Sequence, residues 1–268
     1  MGRIEATFAR LRQKGEPALI PFITAGDPDL GTTEELIHAL VEAGADLLEL
    51  GFPFSDPMAD GPTIQAASER ALASGTTLGG ILETVRRIRE HTNIPIVLMG
   101  YYNPILHYGP RRFAEEAASA GVDGLLLVDL PPEESAEITG FLRSARIDLI
   151  TLLAPTTPAE RASRLAAEAE GFLYYVSMTG VTGAGQVDAA AIEEAVLTLK
   201  AESDVPVAVG FGISSPADAA AVGRFADAVV VGSALVKVIA AYGKSPELLP
   251  QVQALVRALK GGLRVEEQ

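Results

Sequence analysis

The sequence predicts an α/β chain, a single-domain (β/α)8 TIM barrel with an extra N-terminal helix and a short phosphate-site helix after the eighth strand. Three observations carry this expectation. Eight apolar runs of strand length recur along the chain, at Ala18–Thr24, Asp46–Gly51, Ile94–Gly100, Gly124–Val128, Asp148–Leu153, Phe172–Val176, Val205–Val209 and Ala228–Val231. They are near-continuous rather than alternating, as parallel strands covered by helices on both faces of a sheet must be. Segments of helical period separate them, and no linker, low-complexity tract or charge block divides residues 1–268. An open, doubly wound sheet is the other arrangement compatible with this alternation.

The elements follow in order. In "MGRIEATFARLRQKGEP", Ile4, Phe8 and Leu11 fall on one helical face, with no secretory apolar core. Met-Gly opens the chain, but Ala6 breaks the myristoylation pattern. Between the apolar runs, helices are predicted at Thr33–Ala43, Thr63–Ser74, Arg111–Ala120, Glu133–Arg143, Pro158–Ala169, Asp188–Ala201 and Pro216–Arg224. After the last run, "VVVGSALVKVI" reads as strand, Gly-Ser and a short helix, ahead of a longer one near Leu248–Leu259. The segments "AGADLLEL", "AGVDGLLL" and "FADAVVV" echo one another: a helix end, a Gly or Ala, then an Asp before an apolar strand. They read as ordinary helix-to-strand turn chemistry, with Gly as the C-terminal cap.

Composition excludes several functions. The net charge of −14 makes the chain a poor partner for nucleic acid or anionic lipid, so a bound phosphate would need local backbone amides. With 48% hydrophobic residues the chain can bury a large core, yet no run approaches the roughly 20 residues of a membrane span. The absence of cysteine removes disulfides, thiolate nucleophiles and cysteine metal sites, and is compatible with a reducing cytoplasm. His38, His91 and His107 are not spaced as metal ligands, and His107 reads as a surface residue. None of the five lysines falls at an upper strand end, so a Schiff-base mechanism has no nucleophile. No dinucleotide fingerprint follows the first strand.

In a barrel, function sits where strands end. Those ends read "FITAGDP", "LELGFPFSDPMADGP", "LMGYYNP", "LVDLPPEE", "LLAPTTP", "YVSMTGVTGAG", "AVGFGIS" and "VVGSALV". Strand alternation puts Leu48, Leu50 and Phe52 on one face and Leu47, Glu49 and Gly51 on the other, so Glu49 points into the barrel. An ionised carboxylate there is costly unless it is paired or its pKa rises. No Lys or Arg lies at these strand ends, so Glu49 reads as a proton-transfer group. Asp60, just before Gly61-Pro62 and a helix, reads equally as a cap or turn residue and as a second functional carboxyl. Three consecutive glycine-rich ends, Thr179–Gly185, Gly210–Ser214 and Gly232–Val236, suit a phosphate held by backbone amides; tight turns needing glycine are the plainer reading. Phe22, Tyr101, Leu126, Leu153 and Phe211 would suit a flat apolar ring, although each is also an ordinary core residue.

The stretches "PFITAGDP", "LELGFPFSDPMADGPTIQ", "YYNP", "VDLPPEES", "YYVSMTGVTGA", "GFGIS" and "VGSALV" resemble the tryptophan synthase alpha chain family, over about Phe22 to Val236. The most specific piece is "ELGFPFSDPMADGP". The resemblance implies a lyase that cleaves indole-3-glycerol phosphate to indole and glyceraldehyde 3-phosphate. It implies no cofactor on this chain and no metal. It also implies a pyridoxal-phosphate-dependent beta chain as partner, two alpha with two beta, in a cytoplasmic pathway. By motif, Glu49 is the implied acid–base residue and Asp60 its helper. Thr182, Gly183, Gly212, Gly232 and Ser233 match the phosphate cradle, and Phe22, Tyr101, Tyr174 and Phe211 match the substrate pocket. Asp56, Asn103, Asp129 and Pro131 match positions at or near the partner contact. Met178 stands where Arg or Leu is more usual in the family. A stand-alone lyase that releases free indole is the alternative.

Overall fold

A computed structural model describes residues 1–176, 189–210 and 212–264. Nine parallel strands form the barrel: β1 (Ala18–Thr24), β2 (Leu48–Gly51), β3 (Ile96–Gly100), β4 (Gly124–Leu127), β5 (Asp148–Leu149), β6 (Thr151–Leu153), β7 (Leu173–Val176), β8 (Val207–Gly210) and β9 (Ala228–Val231). Twelve helices accompany them among the described residues: α1 (Arg3–Lys14), α2 (Leu30–Glu42), α3 (Pro62–Ala73), α4 (Leu78–Ile88), α5 (Tyr102–Tyr108), α6 (Pro110–Ala120), α7 (Ala136–Ala145), α8 (Ala159–Ala167), α9 (Ala189–Glu202), α10 (Pro216–Gly223), α11 (Ser233–Tyr242) and α12 (Leu248–Leu263). No helix among the described residues is long and apolar enough to cross a membrane.

The strand order is β5-β4-β3-β2-β1-β9-β8-β7-β6, with every pair parallel. The fifth apolar run, expected as one strand, is therefore two. Asp148 and Leu149 pair with β4, whereas Thr151–Leu153 pair with β7. Ile150 joins them and donates its N–H to the Leu125 carbonyl at 2.8 Å. One strand serves both edges, so the chain itself closes the ring and leaves no exposed edge there. Two helices, α4 and α5, were not expected. Thr77 caps α4 by accepting the Gly80 N–H, and four of the seven α5 residues are aromatic, proline or histidine, which weakens the periodic signal.

Alternation sorts the core into two layers. Leu19, Ile23, Leu48, Leu50, Leu98 and Leu125 pack against the helices. Ala18, Ile20, Leu47, Val97, Leu126, Ile150, Phe172, Tyr174, Ala208 and Val230 fill the barrel. Ile4, Phe8 and Leu11 of α1 join this inner cluster and plug its lower end, with the Phe8 and Phe172 rings 5.9 Å apart.

The repeated turns, a helix end, a Gly or Ala, then an Asp before a strand, have a mechanical role at that lower end. Asp46, Asp123 and Asp227 each accept a backbone N–H from a neighbouring strand start: Leu19 at 2.9 Å, Ile96 at 2.8 Å and Val207 at 2.9 Å. Each is also ion-paired, to Lys260 at 2.7 Å, Arg89 at 2.6 Å and Lys200 at 2.9 Å respectively. One turn motif thus pins three strand pairs, and every carboxylate it places at the sheet has a cation.

Candidate active site

The upper end of the barrel contrasts with the lower. Glu49 lies on β2, in register with Phe22 on β1 and Val97 on β3, and is 2% exposed. It has no ion pair among the described residues, and its Oε1 has no hydrogen-bond partner. Burial alone pushes its carboxyl up to about 8, so it is protonated at neutral pH. The carboxyl of Tyr174's near neighbour Glu49 in turn adds to the burial that raises the Tyr174 phenol well above its ordinary range.

Asp60 ends the loop that follows β2. The alternative open in the sequence, a capping role, is not the one the backbone uses. Gly61 is the N-cap of α3 and Pro62 opens the helix, with no side-chain cap. The Asp60 carboxylate instead accepts the Tyr101 hydroxyl at 3.1 Å, and that same hydroxyl accepts the Ala59 N–H at 2.9 Å. Tyr101 thereby fixes two consecutive loop residues, and its ring lies 5.3 Å from that of Phe54. Burial pushes Asp60 up to about 6, against the opposing pull of the Tyr101 hydroxyl. At pH 7 the two carboxyls are therefore in opposite states, Glu49 an acid and Asp60 a base. Environments that push two carboxyls apart in this way are the usual arrangement of acid–base pairs.

A cavity of about 20 Å³ lies between the barrel top and α3, lined by Phe22, Thr24, Gly51, Phe52, Asp60, Ile64, Ser68, Met99, Gly100, Tyr101 and Val128. It has room for one water, so a bicyclic ligand requires the loop or the lining rings to move. Glycines at strand ends give the rings their places. A Cβ on Gly51 would stand 2.6 Å from the Phe22 ring, one on Gly100 2.3 Å from Phe52, and one on Gly210 2.2 Å from the Tyr174 hydroxyl oxygen.

The remaining expected residues fall as follows. Tyr101, Phe22 and Tyr174 are buried at the barrel top, and Leu126 lies in the barrel interior below the cavity. Leu153 is a correction: it packs in the outer layer against the helices. Ile150 points inward, and period two then places Leu152 inside beside Tyr174 and Leu149 and Leu153 outside. Thr24, Phe52, Ile64, Ser68, Met99 and Val128 were not singled out; strand parity from Phe22, Tyr101 and Leu126 and the helical period of α3 are the signals that would have found most of them. Thr182, Gly183, Met178 and Phe211 lie outside the described residues.

At the late strand ends, Gly212 takes φ +79° just before the turn into α10. There the Ser214 and Ser215 N–H groups are already held by the Asp218 carboxylate, at 3.1 and 3.0 Å. The N-terminus of α11 differs: its N-cap is Gly232, half-buried, with no side-chain cap, followed by exposed Ser233. Among the described residues no side chain caps the first turn of α11, and the amides and dipole of a helix N-terminus favour an anion.

The four positions expected at a partner face are all exposed: Asp56, Asn103, Asp129 and Pro131. Asp56 sits on the loop after β2, Asn103 in the first turn of α5 after β3, and Asp129 and Pro131 on the loop after β4; these three strands are neighbours in the barrel. Asp129 also accepts the Tyr102 N–H at 2.8 Å, fixing the start of α5. Two large apolar side chains stand out nearby, Met58 on the loop after β2 at 86% exposure and Leu106 on α5 at 53%.

Comparison with known proteins agrees with this geometry. The family model described as "Tryptophan synthase alpha chain" matches residues 8–264. The tryptophan synthase alpha chain of Citrifermentans bemidjiense is 57% identical over 263 residues, 98% of both chains. That of Geobacter sulfurreducens is 55% identical over 260 residues, covering 97% of this chain and 98% of its own. Among solved structures, tryptophan synthase subunit alpha from Legionella pneumophila superposes with a TM-score of 0.91 at 43% identity, covering 98% of both chains. A chain of M. tuberculosis tryptophan synthase in its aminoacrylate-bound form superposes at 0.88 with 37% identity, covering 98% of this chain and 100% of that one. A closed parallel barrel with an unpaired acid at its upper end, and relatives alike over nearly its whole length, place the chain in the tryptophan synthase alpha chain family.

Proposed function

We propose that the chain cleaves indole-3-glycerol phosphate to indole and glyceraldehyde 3-phosphate by acid–base chemistry of Glu49 and Asp60. Membership in the tryptophan synthase alpha chain family makes it a lyase of tryptophan biosynthesis. The observation that carries the detailed reading is Glu49: a buried, protonated carboxyl with no ion pair among the described residues, whereas Asp46, Asp123 and Asp227 at the lower strand ends each have a cation. Such a group costs stability and is retained for chemistry.

The reaction is a retro-aldol cleavage. Glu49 gives its proton to indole C3, which turns the ring into an electron sink. Asp60, ionised, accepts the hydrogen bond of the ring N–H as positive charge develops there. The bond from C3 to the glycerol chain then breaks, its electrons return to the ring, and the adjacent hydroxyl becomes the aldehyde. The proton lost by that hydroxyl goes to the Glu49 carboxylate, which restores the acid. The phosphate sits at Gly232, Ser233 and the first turn of α11, with Gly212 nearby on the preceding strand end; Thr182 and Gly183 complete the cradle by motif. No step needs a metal or an organic cofactor.

The exposed loops after β2, β3 and β4 fit a docking face for a pyridoxal-phosphate-dependent beta chain, in an assembly of two alpha with two beta chains in the cytoplasm. Indole is small and apolar, so direct transfer to a second site prevents its escape. A partner seated over Asp56 and Met58 would also hold the Asp60 loop against Tyr101, which couples docking to catalysis. Indole release from indole-3-glycerol phosphate, measured with and without a beta chain, tests the whole reading. No release under either condition refutes the lyase assignment, and release unaffected by the beta chain favours a stand-alone enzyme.

A further inference from the structure

Two buried side-chain oxygens have no hydrogen-bond partner among the described residues, Glu49 Oε1 and Thr24 Oγ1. The proposed reaction occupies Glu49; nothing so far occupies Thr24. It is 2% exposed and shares the inward face of β1 with Phe22, two residues nearer the strand end. Its register partner is Gly51, which has no side chain to cover it. It lines the same cavity as Asp60. A buried hydroxyl with no protein partner costs stability, and a valine would fill the same space without that cost. Such an atom calls for a partner that arrives with the ligand.

The chemistry of the cavity says which part of the ligand. Besides Thr24 the cavity is lined by apolar side chains such as Phe22, Phe52, Met99 and Val128, by the Tyr101 ring and Ser68, and by the single carboxylate of Asp60. This suits the indole ring, whose one polar atom is its N–H. A hydroxyl is both donor and acceptor, so it can stand between an N–H and a carboxylate. Resting on the reading of the site above, we propose that Thr24 is a substrate-binding residue. Its oxygen shares the ring N–H with Asp60 while its own O–H donates to the Asp60 carboxylate, which orients base and ring together.

The test uses the full chain as wild type, Thr24→Val and Thr24→Ser. Two non-cleavable probes are titrated calorimetrically: an indolyl-alkyl phosphate and its benzothiophene counterpart, which lacks the N–H. Thr24→Val is expected to bind the indolyl probe about five- to tenfold more weakly, the worth of one neutral hydrogen bond. Thr24→Ser binds within about twofold of wild type on the same scale. The benzothiophene probe binds wild type and Thr24→Val equally. Ligand-free Thr24→Val melts no lower than wild type, because the lost hydroxyl had no partner. Equal losses on both probes, no loss on either, or a lower melting temperature would each overturn the proposal. Should Thr24→Val not be recovered folded, Thr24→Ala against Thr24→Ser carries the same comparison. A wild-type chain that binds neither probe refutes the reading of the site itself, and the inference falls with it.

Discussion

Glu49→Gln should stabilise this protein while abolishing its turnover. In the unfolded chain the Glu49 carboxyl titrates at its ordinary 4.5; in the folded chain burial raises it to about 8. Below pH 4.5 both states are protonated and the group costs nothing. Between 4.5 and 8 the unfolded chain is ionised while the folded chain keeps its proton, so each pH unit removes about 1.36 kcal/mol of stability. The penalty reaches about 3 kcal/mol at pH 7 and levels at about 5 kcal/mol above pH 8. Glutamine has the same shape and does not titrate. The difference in unfolding free energy, variant minus wild type, should therefore rise with pH across that window. The carboxamide adds an N–H group that also needs a partner, which shifts the whole curve but not its slope. Urea unfolding of both proteins from pH 4 to pH 9 measures the slope, since other titrating groups cancel in the difference. Cleavage of indole-3-glycerol phosphate by the same variant should fall by about 10² to 10⁴. A stability difference that is flat or falls with pH would show that Glu49 is not a dry, unpaired acid, and the mechanism would lose its proton donor.

Three further outcomes follow from the same geometry. With Asp60 required as base and Glu49 as acid, kcat/KM should be bell-shaped with limbs near pH 6 and pH 8, and a flat profile from pH 5 to pH 9 would separate activity from both groups. Tyr101→Phe removes the hydroxyl that holds Asp60 and Ala59; kcat/KM should drop about tenfold, the worth of one to two hydrogen bonds. Because that hydroxyl lowers the Asp60 pKa, the acid limb should also move to higher pH, and an unmoved limb would deny the contact. Ser233→Asp puts a carboxylate at the N-terminus of α11, where it favours the helix but repels phosphate. The melting temperature should hold or rise while KM rises by tenfold or more, on the order of 1.4 kcal/mol of repulsion; an unchanged KM would move the phosphate site elsewhere.

The barrel was legible in the sequence because strands buried on both faces must be apolar along their length, and eight such runs separated by helical periods admit few arrangements. The inward turn of Glu49 was legible for a related reason: with period two, the leucines at 48 and 50 commit residue 49 to the other face. Long-range contacts carry no such signal. That the fifth run splits at Ile150 to close the ring depends on which strands lie to either side. Asp60 before Gly-Pro looked equally like a cap. Only Tyr101, 41 residues away, shows that its carboxylate is held for something else. The three Asp turns read as routine local chemistry until folding set each beside a neighbouring strand and a distant cation, Lys260 lying 214 residues from Asp46. The sequence by itself determined which elements form and which face of each is apolar, since both follow from local periodicity. Burial, ion pairing and the resulting protonation of Glu49 and Asp60 were decided by the tertiary structure, because they depend on what surrounds a side chain in space and not on its neighbours along the chain.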